Sequence, residues 1–243
     1  MSQTTQEAVT LTNTQFQSLL EEIEKIPSYK SPINGKTARL CFEFMEDTGC
    51  RVNETIHVMK KDLDFKTRVL TVTQPKSEKQ CKCSRWIYKD QYTRARILEH
   101  ANPKCPTCHG RGKWKKPQFT TFTHRIMDQL KTYYDTLQDN DLLFPVSRQS
   151  LWKWGKKAGV NAGIDIFQYK DEKKIEGIFL HMFRAMCSLR MVRDAKDDKY
   201  TDALVARKLR HAVRFVTDRY TKVDINYLLT WENRTYNYTP SVV

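Results

Sequence analysis

The sequence predicts an α+β fold, mainly helical, with a small antiparallel sheet near the middle and an inserted zinc-binding segment. Three observations carry this. Apolar residues recur at helical spacing along most of the 243 residues, one stretch near residue 70 is rich in β-branched residues, and the stretch that follows is dense in cysteine, lysine and arginine. A chain of this length with 40% hydrophobic residues can bury a real core.

The first helix starts at a capping box, Thr12 with Gln15, and carries Phe16, Leu19, Leu20, Ile23 and Ile26 on one face. A second helix runs from about Lys36 to Asp47 and stops at Gly49. A short helix spans Asn53–Met59, and Val69, Leu70 and Val72 with neighbouring threonines then favour a strand over Asp64–Thr73. That strand ends at Gln74-Pro75-Lys76, because proline has no N–H to give a ladder. After the cysteine-bearing segment, helices are expected over 123–137, with Ile126, Leu130 and Leu137 on one side, and over 150–158. A loop with an irregular hairpin fills 163–177, helices follow over 178–193 and 201–210, and the tail beyond Tyr220 is aromatic and weakly patterned. Residues 1–10 are polar and expected to be loose.

Charge narrows the partner. Lysine and arginine number 42 against 28 acidic residues, a net +14 that favours a polyanion such as nucleic acid. Between Lys76 and Pro117 there are 12 basic and 3 acidic residues, so the excess is concentrated as a contact surface would be. No apolar run is long enough to cross a membrane, and the N-terminal residues lack the pattern of a signal peptide. Seven cysteines, four of them clustered, point to a reducing compartment and a metal site rather than a disulfide framework. A cytoplasmic, DNA-associated protein is expected.

Four short segments carry the chemistry: Thr48-Gly49-Cys50-Arg51-Val52-Asn53-Glu54, His181-Met182-Phe183-Arg184, Lys208-Leu209-Arg210-His211, and Tyr220. Singly, each has an ordinary structural explanation. Together they suit the cutting of a DNA strand, which needs a nucleophile, cations around a phosphate gaining charge, and a proton donor for the leaving oxygen. Arginine can grip two phosphate oxygens and keeps its charge, and histidine can exchange a proton near neutral pH. Tyrosine, with a pKa of about 10, needs neighbouring cations or a base before it attacks. A phosphotyrosine link conserves the bond energy, so rejoining requires no ATP.

These segments resemble the catalytic domain of the tyrosine recombinases, or phage-type integrases. That family's pattern is Thr-Gly-Leu-Arg-x-Ser-Glu, a lysine in a β-hairpin, His-x-x-Arg, then Gly-His with tyrosine nine residues later. Here TGCRVNE stands at 48–54, HMFR at 181–184, and Tyr220 nine residues after His211. The likeness extends from LTNTQFQSLLEEI through DLDFKTRVLTV and LLFP to DRYTKV. The resemblance implies a catalytic domain over 11–223, with Arg51 and Arg184 clamping the scissile phosphate and His181 as acid/base or phosphate contact. It further implies His211 bonded to a phosphate oxygen, Tyr220 forming the 3′-phosphotyrosine link, and Glu54 supporting Arg51. Lys76 best matches the hairpin lysine that protonates the leaving 5′ oxygen, with Lys79 close by. The chain departs from the pattern at Cys50 and Phe183, where leucine is usual, at Ala185, where a histidine often stands, and at Arg210, which replaces glycine. The implied activity is site-specific recombination without a catalytic divalent metal, on double-stranded DNA, by a dimer or tetramer. A type IB topoisomerase-like enzyme and a zinc-dependent DNA-binding protein without catalysis are the rivals.

Cys81, Cys83, Cys105 and Cys108 supply four thiolates, a number suited to tetrahedral structural zinc, with His100 and His109 in reserve. The expectation is a basic zinc-ribbon-like insertion over 80–117, placed where the family's hairpin turns back. Lys113, Lys115 and Lys116 would lie on phosphates, and Trp86, Tyr88 and Trp114 would form a small core. Many members of the family carry a separate DNA-binding domain before the catalytic one. This chain is either a minimal recombinase, with the insertion compensating, or part of a larger protein. Residues 224–243 form a tail that docks on a neighbouring subunit or folds back on its own domain.

Overall fold

The computed structural model describes residues 10–26, 32–73, 79–81, 84–88, 96–100, 104–106, 113–114, 117–165, 167–170, 173–195, 201–210 and 225–236. In chain order the elements are α1 (Asn13–Lys25), α2 (Gly35–Thr48), α3 (Val52–Thr55), β1 (Leu63–Asp64), β2 (Val69–Val72), β3 (Lys79–Gln80), β4 (Ser84–Tyr88), β5 (Arg96–His100), β6 (Lys113–Trp114) and β7 (Gln118–Thr121). There follow α4 (His124–Tyr134), α5 (Arg148–Asn161), β8 (Phe167–Lys170), β9 (Lys173–Glu176), α6 (Met182–Asp194), α7 (Thr201–Lys208) and α8 (Ile225–Thr235). The chain forms two compact units, one from residues 1–71 with 119–243 and a smaller one from 72–118.

Local chemistry explains the element ends. Thr12 and Gln15 cap α1 reciprocally: the Thr12 hydroxyl accepts from the Gln15 N–H, and the Gln15 side chain accepts from the Thr12 N–H. The Asn34 side chain caps α2, which ends at Gly49 with φ of 64°. The expected strand over 64–73 is broken in two. Asp64 draws the N–H groups of Lys66 and Thr67 onto its carboxylate, and Arg68 takes a left-handed φ of 55°, so the chain turns between β1 and β2. β1 pairs antiparallel with β2, and β7 lies on the other side of β2. The short helix after Asn53 is also briefer than expected, ending at Thr55. The helix expected from 178 begins only at Met182, after the positive-φ Gly177 (105°) and a turn. β8 and β9 form the hairpin expected within 163–177.

The larger unit packs α1, α2 and α6 through aromatic contacts. Phe183 of α6 meets Phe16 of α1 at 5.8 Å and Phe42 of α2 at 5.1 Å between ring centroids. Gly159 of α5 lets the helix approach closely, since a Cβ there would stand 2.7 Å from Ile178 Cγ1. A second cluster joins Cys187 and Met191 of α6, Leu204 of α7 and Leu209 to Leu228 and Trp231 of α8. The weakly patterned tail thus includes a helix that folds back on its own unit. Burying Leu228 and Trp231 contributes about 2 kcal/mol each, so α8 is part of the core.

The smaller unit contains two antiparallel strand pairs, β3 with β6 and β4 with β5. Cys81 directly follows β3, and Cys105 lies between β5 and β6.

Candidate active site

Arg51 sits at the N-cap of α3, directly after the left-handed turn at Gly49. That turn requires glycine twice over: its φ is positive, and a Cβ would fall 2.4 Å from Leu209 Cδ2. The Thr48 hydroxyl donates to Phe44 O and accepts from the Cys50 N–H, tying the turn to the end of α2. Cys50, where the resemblance expects leucine, is buried as a small apolar residue.

Glu54 organises the cations. Its Oε1 accepts from Arg51 Nη1 at 2.9 Å, and its Oε2 accepts both the Arg51 N–H at 2.8 Å and Arg210 Nη2 at 2.6 Å. Burial pushes the Glu54 carboxyl up, but Arg210 and Arg51 outweigh it and hold the group below its ordinary range. Arg51 keeps 28% of its side chain exposed, whereas Arg210 keeps 2%. Arg51 is therefore the member of the cluster open to a ligand.

Arg184 lies two residues inside α6 and is buried. It donates from Nη1 to Gly49 O and from Nη2 to Leu209 O, so one guanidinium holds the turn before Arg51 and the turn before His211 together. Burial, with the nearby Arg51 and Arg210 cations, pushes its pKa down to about 10. Arg51 and Arg210 thus share one carboxylate, Glu54, with Arg184 close enough to feel their charge, and the excess positive charge favours an anion. Two of the five N–H groups of Arg184 are spent on carbonyls.

His181 occupies the N-cap of α6, exposed, one turn before Arg184. Lys76, His211 and Tyr220 lie outside the described residues, as do Lys115, Lys116, Cys83 and Cys108. Lys113 is in β6, opposite Gln80. Of the candidate catalytic residues, the structure brings Arg51 and Arg184 together and places His181 on the same helix as Arg184. Arg210 joins them, although the sequence showed it only as a departure from a glycine. Its partner Glu54 is 156 residues away, and no local signal announces that pairing.

The chain matches the Phage integrase family over residues 10–226. It belongs to that family. No curated protein sequence matches it. Among solved structures, the integrase from mycobacterium phage Brujita aligns with all of this chain and 62% of its own, at 15% identity and a TM-score of 0.51. XerH site-specific recombinase, in a post-cleavage complex with palindromic difH substrate, aligns over 97% of this chain and 52% of its own, at 18% identity and a TM-score of 0.50. The catalytic domain of bacteriophage HP1 integrase aligns over 97% of this chain and 91% of its own, at 16% identity and a TM-score of 0.47. The first two are likenesses of fold, and the chain of this integrase-family member spans only about half of XerH and under two thirds of the Brujita integrase.

In the smaller unit, the buried Cys81 and Cys105 bring their sulfurs to 3.7 Å. That is far beyond a disulfide bond of about 2.05 Å. Two sulfurs each about 2.3 Å from a tetrahedral zinc stand about 3.8 Å apart, so the spacing fits two corners of a zinc site. Among the described residues no group of three or more metal-ligating side chains gathers, and the other two cysteines of the expected set are not among them.

Proposed function

We propose that this chain cuts and rejoins double-stranded DNA at a defined site through a covalent bond between Tyr220 and a 3′ phosphate. The observation that carries the reading is the gathering of Arg51, Arg184 and Arg210, the first and last paired with the single carboxylate of Glu54, within an integrase-family fold. In the proposed step the Tyr220 hydroxyl passes its proton to His181 as its oxygen attacks phosphorus, the bond to the 5′ oxygen breaks, and Lys76 gives that oxygen its proton. The reverse reaction reseals the strand. Arg51 and Arg184 bind the non-bridging oxygens, whose charge grows at the transition state, and His181 and His211 supply further contacts. The step consumes no ATP, and guanidinium groups take the role that a divalent metal would otherwise fill. The XerH structure contains recombinase with its difH substrate, which supports DNA as the partner here. Recombination joins two duplexes, so a dimer or tetramer on DNA is the proposed working form.

The test is a nicked suicide substrate without added divalent metal, resolved on a denaturing gel. A covalent protein–DNA band is expected with the wild type and not with Tyr220→Phe. A protein that binds the site yet forms no such band is a DNA-binding relative without strand transfer.

The smaller unit is proposed to hold a structural zinc on Cys81, Cys83, Cys105 and Cys108, supported by the 3.7 Å sulfur spacing. With four thiolates and no open position, the ion would hold the short strand pairs together. Lys113, Lys115 and Lys116 would then meet DNA phosphates. One zinc per chain is expected by elemental analysis, lost in Cys81→Ser and kept in Cys41→Ser. Metal-free wild type, or stripped protein with undiminished DNA affinity, would refute this assignment.

A further inference from the structure

We infer that Arg210 is a positioning residue of the strand-transfer site, fixing the Glu54 carboxylate that aims Arg51. The inference rests on the function proposed above. Arg210 has a left-handed φ of 57°, a conformation that L side chains seldom adopt and that the resembling pattern fills with glycine. A non-glycine residue persists there only when its surroundings over-determine it. They do so here. Nη2 is 2.6 Å from Glu54 Oε2, Nη1 donates to Lys208 O at 3.2 Å, and Arg184 grips the carbonyl of the preceding Leu209.

The consequence falls on Arg51. Glu54 holds Arg51 at two points, through Oε1 to the guanidinium and through Oε2 to the backbone N–H. With glycine at 210, Oε2 would keep only that backbone donor and the carboxylate could swing. The buried Arg210 fork gives Oε2 a second, charge-assisted donor, which fixes the carboxylate plane and therefore the direction in which the part-exposed Arg51 points. Arg210 also opposes the Glu54 charge, so the site stays cationic despite a buried carboxylate. Being 2% exposed, Arg210 acts through Glu54 and not by meeting DNA itself.

A double-mutant cycle tests this, because glycine accepts the positive φ and Arg210→Gly removes the side chain without changing the backbone's demand. Trapping on the nicked substrate is irreversible, so slow variants can be timed. Arg210→Gly should slow trapping by about tenfold or more when Arg51 is present. In an Arg51→Ala background it should change the rate by less than about twofold. Arg210→Lys, which keeps a cation for Glu54, should fall between. An equal loss in both backgrounds, or no loss in either, would overturn the inference, since a residue that merely stabilised the fold would slow both alike. If the wild type formed no covalent complex, the proposed function would fail by itself, and the same cycle would be read in equilibrium binding of duplex DNA. Arg210→Gly should then weaken binding only where Arg51 remains, and equal weakening in both backgrounds would refute the positioning role.

Discussion

Replacing Glu232 by leucine should destabilise the larger unit by about 3–5 kcal/mol, the usual result of stripping one partner from a buried ion pair. Glu232 lies on α8, and its Oε1 is 2.6 Å from Lys208 Nζ at the end of α7, with both side chains 1% exposed. Thr121 of β7 closes the group: its hydroxyl donates to Glu232 Oε1 at 2.9 Å, and Lys208 Nζ donates to that hydroxyl at 2.8 Å and to Thr121 O at 3.1 Å. Without Glu232 the ammonium would keep two neutral acceptors and lose its directly bonded counter-charge, leaving only the neighbouring Asp47 carboxylate. For a domain of this size the loss corresponds to a melting temperature lower by about 10 °C. Lys208→Met combined with Glu232→Leu should recover most of it, because an apolar pair needs no compensation. Circular dichroism melts of the two single variants and the double variant decide the matter. A single variant within about 1 kcal/mol of wild type, or a double variant showing the sum of the two losses, would refute the reasoning. The effect should also reach the site below the melting temperature, since Lys208 O accepts from Arg210 and Leu209 O from Arg184.

Gly49→Ala should lower stability by about 1–3 kcal/mol from the left-handed backbone, with a further loss from the 2.4 Å approach to Leu209, read as a lower melting temperature. Glu54→Gln should flatten the acid limb of the stability curve. Burial raises the Glu54 pKa, but Arg210 and Arg51 depress it further, so the folded value lies below the unfolded one. Its stabilisation is then complete above the unfolded value and drains away as pH falls through the folded one. The gap in melting temperature between wild type and Glu54→Gln should therefore shrink between pH 7 and pH 3, and a constant gap would contradict this.

What the sequence revealed follows from where each signal resides. The Thr12–Gln15 box and the Gly49 stop are local, and α1 and α2 begin and end within a residue or so of expectation. The strand over 64–73 was misjudged because its β-branched residues outweighed the Asp64 turn, which splits it. α8 is faint in the sequence although Ile225, Leu228 and Trp231 fall at helical spacing. Ile225, Tyr227, Leu228, Leu229 and Trp231 do not resolve to one face until Cys187, Leu204 and Leu209 supply a surface to cover. The candidate arginines are legible from motif order, whereas the charge that steadies them is not. Glu54 reads as a partner for Arg51 three residues away, and only folding brings Arg210 to its other oxygen.

Arg184 shows how segments far apart in the sequence are held in one site. Its two bonds go to main-chain oxygens, which any residue at positions 49 and 209 would offer, so side-chain identity there serves packing rather than recognition. The guanidinium is thus a staple between two turns as well as a candidate phosphate ligand. Substituting it removes both functions together, and lost activity in an Arg184 variant would not by itself identify a phosphate contact. Arg51 is different: its main-chain N–H holds Glu54 whatever its side chain does, and 28% of that side chain is open. Truncating Arg51 therefore separates phosphate binding from assembly of the site, and the chemistry is best probed there and at Tyr220.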